Sequence, residues 1–262
     1  VRSSAASDVY KRQIKYKTIV DEFDDAIKAG EFKMYLQPQI SAKTRRLTGA
    51  EALVRRIKPD GTIISPIDFI PVYEKSGLIS RLDRYIWEQA AAKLGEWKKA
   101  GINMSISVNI SPKDFYYIDI FNTFAGLIKK YDIEPSNLKI EITETTIMSD
   151  VPNLMGELEE LRKAGFTLEM DDFGSGYSSL NTLKDINVDV LKVDMGFIKE
   201  TKNVKKSRII LASVIKMAKE LNLLIITEGV ETEEQVDNLT KLGCDVFQAV
   251  SYTHLTLPTI LR

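Results

Sequence analysis

The residues best suited to chemistry in this sequence are acidic. Asp171-Asp172 closes the run 165–170 and leads straight into Phe173-Gly174-Ser175-Gly176-Tyr177-Ser178-Ser179. Neighbours on a strand face opposite sides, so two consecutive acids can share a target only where the strand ends and the chain turns. Gly174 and Gly176 supply the backbone freedom that such a turn needs. Alone, the acid pair reads as a polar turn between a strand and a helix. It has company, however. Asn109, Glu141 and Glu144, Lys192 and Asp194, Glu228 and Glu231, and Gln248 also end apolar runs, and Glu51 lies within one. Individually, Asn109 could cap a turn, Glu141 could face solvent, and Lys192 could pair with Asp194. Together, the acids would repel one another on a partly desolvated rim, which favours a cation among them. Glu51, Asn109, Glu141 and Asp171 offer three carboxylates and an amide oxygen, a donor set for a hard divalent ion. Asp172 would allow a second ion, with Asp171 bridging. Two ions roughly 3.5–4 Å apart can activate water and stabilise a leaving oxygen in phosphodiester hydrolysis. Lys192 could orient or deprotonate that water. Arg55 follows Glu51 by four residues, shares its strand face and suits a phosphate.

Composition narrows the field. The 262 residues are 44% hydrophobic and 28% charged, with a formal net charge of −1. That balance is ordinary for a globular protein and supplies no basic field for DNA or an anionic membrane. The one cysteine, Cys244, excludes an internal disulfide framework, suits a reducing compartment and reads as a buried thiol. The one histidine, His254, cannot build a His/Cys zinc site with it. Any metal must therefore rest on oxygen donors, which favours Mg²⁺ or Mn²⁺. No apolar run approaches the ~20 residues that cross a bilayer, and no signal peptide is visible. The chain reads as cytoplasmic, or as the cytoplasmic portion of a larger signalling protein.

The elements that must position these residues alternate. Strand-like runs occur at 32–40, 47–57, 104–110, 138–144, 165–171, 188–193, 223–227 and 245–248. Helical patterns occupy 18–29, 66–75, 82–100, 121–131, 152–164, 178–183, 205–221 and 232–242. Eight strands with intervening helices predict an α/β protein with a mostly parallel sheet. The length suits a TIM-type (β/α)8 barrel better than an open sheet, and places chemistry at the strands' C-terminal ends. Residues 1–13 and 249–262 lack convincing periodicity and look like non-native tails, similar to translated sequencing-adapter read-through. The second of these stands where a native C-terminus would be. The barrel is then residues 14–248.

Ordered motifs identify a resemblance. They are Gln37-Pro38, Glu51-Ala52-Leu53-Val54-Arg55, Phe69-Ile70-Pro71, Val108-Asn109-Ile110-Ser111, Glu141-Ile142-Thr143-Glu144, Asp171 through Ser179, Lys192-Val193-Asp194, Glu228-Gly229-Val230-Glu231 and Gln248. The set resembles the EAL domain family of cyclic-di-GMP phosphodiesterases over about residues 32–248. The resemblance implies a modified TIM-type barrel with an antiparallel first strand. It implies metal-dependent hydrolysis of one phosphodiester bond of cyclic-di-GMP to linear pGpG, with two Mg²⁺ or Mn²⁺ ions. By motif, the metal ligands would be Glu51, Asn109, Glu141, Asp171, Asp172 and Glu228. Lys192, Glu228 and Glu51 would be catalytic. Gln37, Arg55, Asp194 and Gln248 would serve substrate binding. Glu144, Gly174 and Gly176 would stabilise the loop that couples the site to a homodimer. An upstream GGDEF or sensory domain is common in the family. A catalytically silent cyclic-di-GMP receptor is the alternative, and a barrel enzyme for another phosphorylated substrate a third. Arg56 stands where the family usually has tryptophan, and Met195 where arginine is common.

Overall fold

Isoleucine, valine and leucine dominate the runs between Ser105 and Ala249 because these strands are buried on both faces, as parallel strands are. The computed structural model describes residues 2–174, 179–195 and 204–249. Its strands are β1 Phe32–Ser41, β2 Leu47–Ile57, β3 Ile63–Ile64, β4 Ser105–Asn109, β5 Leu138–Thr143, β6 Leu168–Asp171, β7 Val190–Asp194, β8 Leu224–Val230 and β9 Val246–Ala249. Their order is β1-β9-β8-β7-β6-β5-β4-β2-β3, and β1 also pairs with β2, which closes an eight-stranded barrel. All eight expected strands are present. The extra strand, β3, extends β2 outside the ring.

β1 runs antiparallel to both β2 and β9, as the resemblance implied. Its reason is local. Only a short turn, with Arg45 in the left-handed region at φ 58°, separates β1 from β2. A connection that short can join antiparallel neighbours only. The remaining ring strands are parallel and are linked by helices. The helix Ile79–Lys99 buries Trp87, Ala90, Ala91 and Leu94 at i, i+3, i+4 and i+7, the stripe that seats it on the barrel. Trp87 packs on Phe124 of the helix Ile120–Tyr131, with ring centroids 4.9 Å apart.

The helix expected over 18–29 is longer and divided in two. Residues 2–13 belong to a continuous helix, Arg2–Asp21, and a second helix, Phe23–Lys28, follows. Ile19, Phe23 and Ala26 are buried against Phe32, Phe69 and Tyr73. Helix growth from this docked end adds one hydrogen bond per residue, so a stretch without an apolar period can still join it. Residues 250–262, including His254, lie outside the described residues. Among the described residues, no helix is long and apolar enough to cross a membrane.

Candidate active site

The ring gathers the predicted residues at its C-terminal mouth. Lys192, on β7, is 1% exposed and sits among four carboxylates from four other strands. Its Nζ donates to Glu51 Oε2 at 3.1 Å on β2 and, in a short contact, to Glu141 Oε1 on β5. It lies 3.5 Å from Asp171 Oδ1 at the end of β6 and 2.6 Å from Glu228 Oε1 on β8. Glu51 has two further partners. Its Oε1 accepts from Asn109 Nδ2 at 3.3 Å, and its Oε2 also accepts from Gln248 Nε2 on β9. Gln39 Nε2 on β1 donates to Gln248 Oε1 at 3.1 Å. One hydrogen-bonded chain thus crosses the seam where the barrel closes.

Local backbone features aim these groups. The β8–β9 register shifts between Glu228 and Val230, and Gly229 there has φ +69°. This bulge turns the strand as Glu228 reaches the rim. Asp172 takes φ 56° just after β6 ends, an uncommon conformation for a side-chain-bearing residue. That turn lets it border the same cleft as Asp171, although strand neighbours would diverge. Trp87 Nε1 donates to the Asn109 carbonyl at 2.9 Å and steadies the end of β4.

The electrostatics follow from burial. Burial pushes Glu141 well above the usual carboxylate range, against the pull of Lys192 and with help from Glu51, Asp171 and Glu169. Burial likewise raises Glu228 to about 7, and Asp171 and Glu51 add to it. Burial, then Asp171, raises Asp172. Burial alone would lower Lys192, but Glu141, Glu51, Asp171 and Glu228 together hold it well above the ordinary lysine value. The four carboxylates thus favour the ammonium form of Lys192.

Beside the cage opens a cleft of about 360 Å³. Arg55, Asn109, Asp171 and Asp172 border it, with Pro66, Ile70 and Glu74 from the helix Pro66–Ser76 forming one wall. Glu51 and Arg55 both line this cleft. Gln37 stands opposite Glu51 in the β1–β2 register and is half-buried. Asp194 is exposed at the end of β7, paired in register with Glu228. Glu144 is buried and opens the short helix Glu144–Ile147 immediately beyond β5. Gly174, at φ 96°, is described, whereas Gly176 lies outside the described residues. Glu231 leaves the rim, and its backbone N–H donates to Gln235 Oε1 in a helix cap.

Sequence reasoning missed several groups. Gln39 is one. Asp83, on the helix Ile79–Lys99, borders the cleft with Glu74. Burial holds Asp83 well above the usual range beside Asp114, which burial raises to about 6. An acid on a helix reads as solvent-facing, and for Asp83 the signal available was its place among the buried Leu82, Ile86 and Trp87.

The donor set fits a hard cation. Among the described residues, Glu51, Glu141 and Glu228 bring one carboxylate oxygen each within 4.8 Å of one another. Glu141 Oε2 is buried without a hydrogen-bond partner. A buried carboxylate cluster with an orphaned oxygen and only oxygen donors suits a hard divalent cation.

Comparison with known proteins agrees with this geometry. The chain is 35% identical to signaling protein YkoW of Bacillus subtilis over 87% of its own length and 29% of the relative's. It is 31% identical to cyclic di-GMP phosphodiesterase PA2567 of Pseudomonas aeruginosa over 94% of its own length and 42% of the relative's. The chain thus spans less than half the length of these curated relatives. Among solved structures, the PaMucR phosphodiesterase in complex with c-di-GMP superposes with a TM-score of 0.82 at 33% identity, covering 88% of this chain and 94% of that one. The EAL domain pattern itself matches residues 20–248, so the chain belongs to the EAL domain family.

Proposed function

We propose that this chain hydrolyses one phosphodiester bond of cyclic-di-GMP to linear pGpG, with two Mg²⁺ or Mn²⁺ ions as cofactor. One observation carries the reading. A buried lysine is held at the barrel mouth by Glu51, Glu141, Asp171 and Glu228, beside a cleft that Arg55 borders. Support also comes from a relative named as a cyclic di-GMP phosphodiesterase and a structural neighbour in complex with c-di-GMP.

In this reading Glu51, Asn109, Glu141, Asp171, Asp172 and Glu228 hold the ions. When bound, the ions supply positive charge that lowers the pKa of water and stabilises the leaving oxygen. Arg55 binds a phosphate oxygen, with Gln37 and Asp194 as further substrate contacts. Lys192 keeps its proton and orients the attacking water as a donor. The water oxygen bonds to phosphorus and the P–O3′ bond breaks. One water proton ends on O3′, leaving a 5′-phosphate and a free 3′-hydroxyl. Gln248 steadies Glu51 from β9. Glu144 braces the segment after Asp172, through which the chain forms a homodimer.

The test separates turnover from binding. With Mn²⁺, Glu51→Ala and Lys192→Ala should abolish hydrolysis while far-UV circular dichroism stays native. Near-wild-type hydrolysis by either folded variant would refute the mechanism. Wild-type affinity without turnover at saturating metal would instead favour a silent receptor.

A further inference from the structure

Arg56 stands beside Arg55 on β2, yet the two do different things. Strand neighbours face opposite sides. Arg55 borders the cleft, whereas Arg56 is turned into the outer layer and is 1% exposed. Its Nε donates to Glu31 Oε2 at 2.9 Å, and its Nη2 to Glu22 Oε2 at 2.7 Å. The guanidinium also lies 5.7 Å from the Phe32 ring. Glu22 is the joint between the helices Arg2–Asp21 and Phe23–Lys28, and Lys58 holds it from the same strand extension at 3.3 Å.

The same N-terminal helices touch the cleft's wall from behind. Phe23 packs edge-on against Tyr73, with ring centroids 4.9 Å apart. Tyr73 and Phe69 lie on the inner face of the helix Pro66–Ser76, whose Pro66, Ile70 and Glu74 border the cleft. The fork of Arg56 therefore ties together β2, the N-terminal helices and, through them, that wall. A tryptophan here would offer one donor, and a lysine a single point charge.

We infer that Arg56 is a positioning residue for substrate binding: its bridge to Glu22 and Glu31 fixes the outer end of β2 and the adjacent cleft wall, and so places Arg55. This rests on the proposed function. The metal-facing Glu51 lies deeper in the barrel, held by Lys192, Asn109 and Gln248. Loss of the bridge should therefore weaken capture of cyclic-di-GMP more than turnover of what is bound.

Steady-state hydrolysis with saturating Mn²⁺ tests this, alongside cyclic-di-GMP binding by calorimetry with Ca²⁺ and thermal unfolding. For Arg56→Met, KM should rise on the order of tenfold, as expected when a positioning contact is lost. Its kcat should stay within about twofold, since only ground-state binding is disturbed. Arg56→Lys keeps one ion pair but not the bridge, so it should recover only part of that rise. Glu22→Gln leaves the Arg56–Glu31 pair intact and should raise KM by roughly threefold, but add little in the Arg56→Met background. If Arg56→Met does not fold, Glu22→Gln alone decides. An unchanged KM in folded variants, or equal falls in kcat and kcat/KM, overturns the inference while leaving the functional reading intact. If wild-type protein binds cyclic-di-GMP without turnover, the functional reading fails and the same ratios in Kd decide on Arg56. If it neither binds nor turns over, both fail.

Discussion

Replacing Lys192 with methionine removes the only cation from a cage of Glu51, Glu141, Asp171 and Glu228 among the described residues. At the 3.1 Å separation from Glu51, a unit charge pair is worth roughly 5 kcal/mol at an effective dielectric of about 20. Desolvation offsets much of this, and orphaned carboxylates take up protons. Breaking a buried ion pair typically costs about 3–5 kcal/mol net. In chelator at pH 8, Lys192→Met should therefore melt about 10 °C below wild type. The deficit should shrink at pH 5.5, because Glu141 and Glu228 hold protons more readily than ordinary carboxyls. Added Mn²⁺ should recover more stability in the variant than in wild type, since it no longer meets a competing ammonium. At about 100 times its Kd, a bound ion contributes about 2.7 kcal/mol. Differential scanning calorimetry across pH and metal reads all three effects. A variant that melts with wild type in chelator, or whose deficit is the same at both pH values, would refute the cage electrostatics.

Other perturbations are as specific. Folding raises Glu228 from 4.5 to about 7, so its stabilising contribution is complete below 4.5 and lost as pH climbs through about 7. Urea titrations in chelator should show Glu228→Gln flattening the stability decline over that window, and an unchanged slope would discredit the assignment. Gly49 sits where an added Cβ would come 2.8 Å from the Ser105 carbonyl oxygen and 2.5 Å from its hydroxyl. Gly49→Ala should cost about 1–3 kcal/mol at the β2–β4 pairing, read by chemical denaturation, and a neutral result would contradict that close approach. Burial pushes the Cys244 thiol up to about 11. Iodoacetamide at pH 8 should leave it unmodified in the native protein and alkylate it in urea; rapid native labelling would show the thiol is not sequestered.

The ring of polar strand ends was legible in the sequence, for a physical reason. A polar residue ending an apolar strand is conspicuous, and a parallel barrel brings all such ends to one mouth. Glu51, Asn109, Glu141, Asp171, Lys192, Glu228 and Gln248 converge as that logic requires. What spacing could not convey was their wiring. The simple pairing of Lys192 with Asp194 gives way to contacts with four other strands, because the ring interior, rather than the strand's own sequence, selects partners. Gln39 matters only because β1 meets β9 at the closure, a contact between residues far apart in sequence. Asp83 and Glu74 sit on helices, where an acid reads as solvated until the neighbouring wall is known. Arg56 stood out only as a departure from the family's usual tryptophan. Its partners, Glu22 and Glu31, become visible only once the N-terminal helices dock.

The most direct measurement is chromatography of cyclic-di-GMP after incubation with the purified chain and Mn²⁺, with and without chelator. The proposed function predicts stoichiometric conversion to linear pGpG that chelator abolishes and excess Mn²⁺ restores. Intact cyclic-di-GMP in the presence of metal, or equal conversion with chelator present, would contradict it.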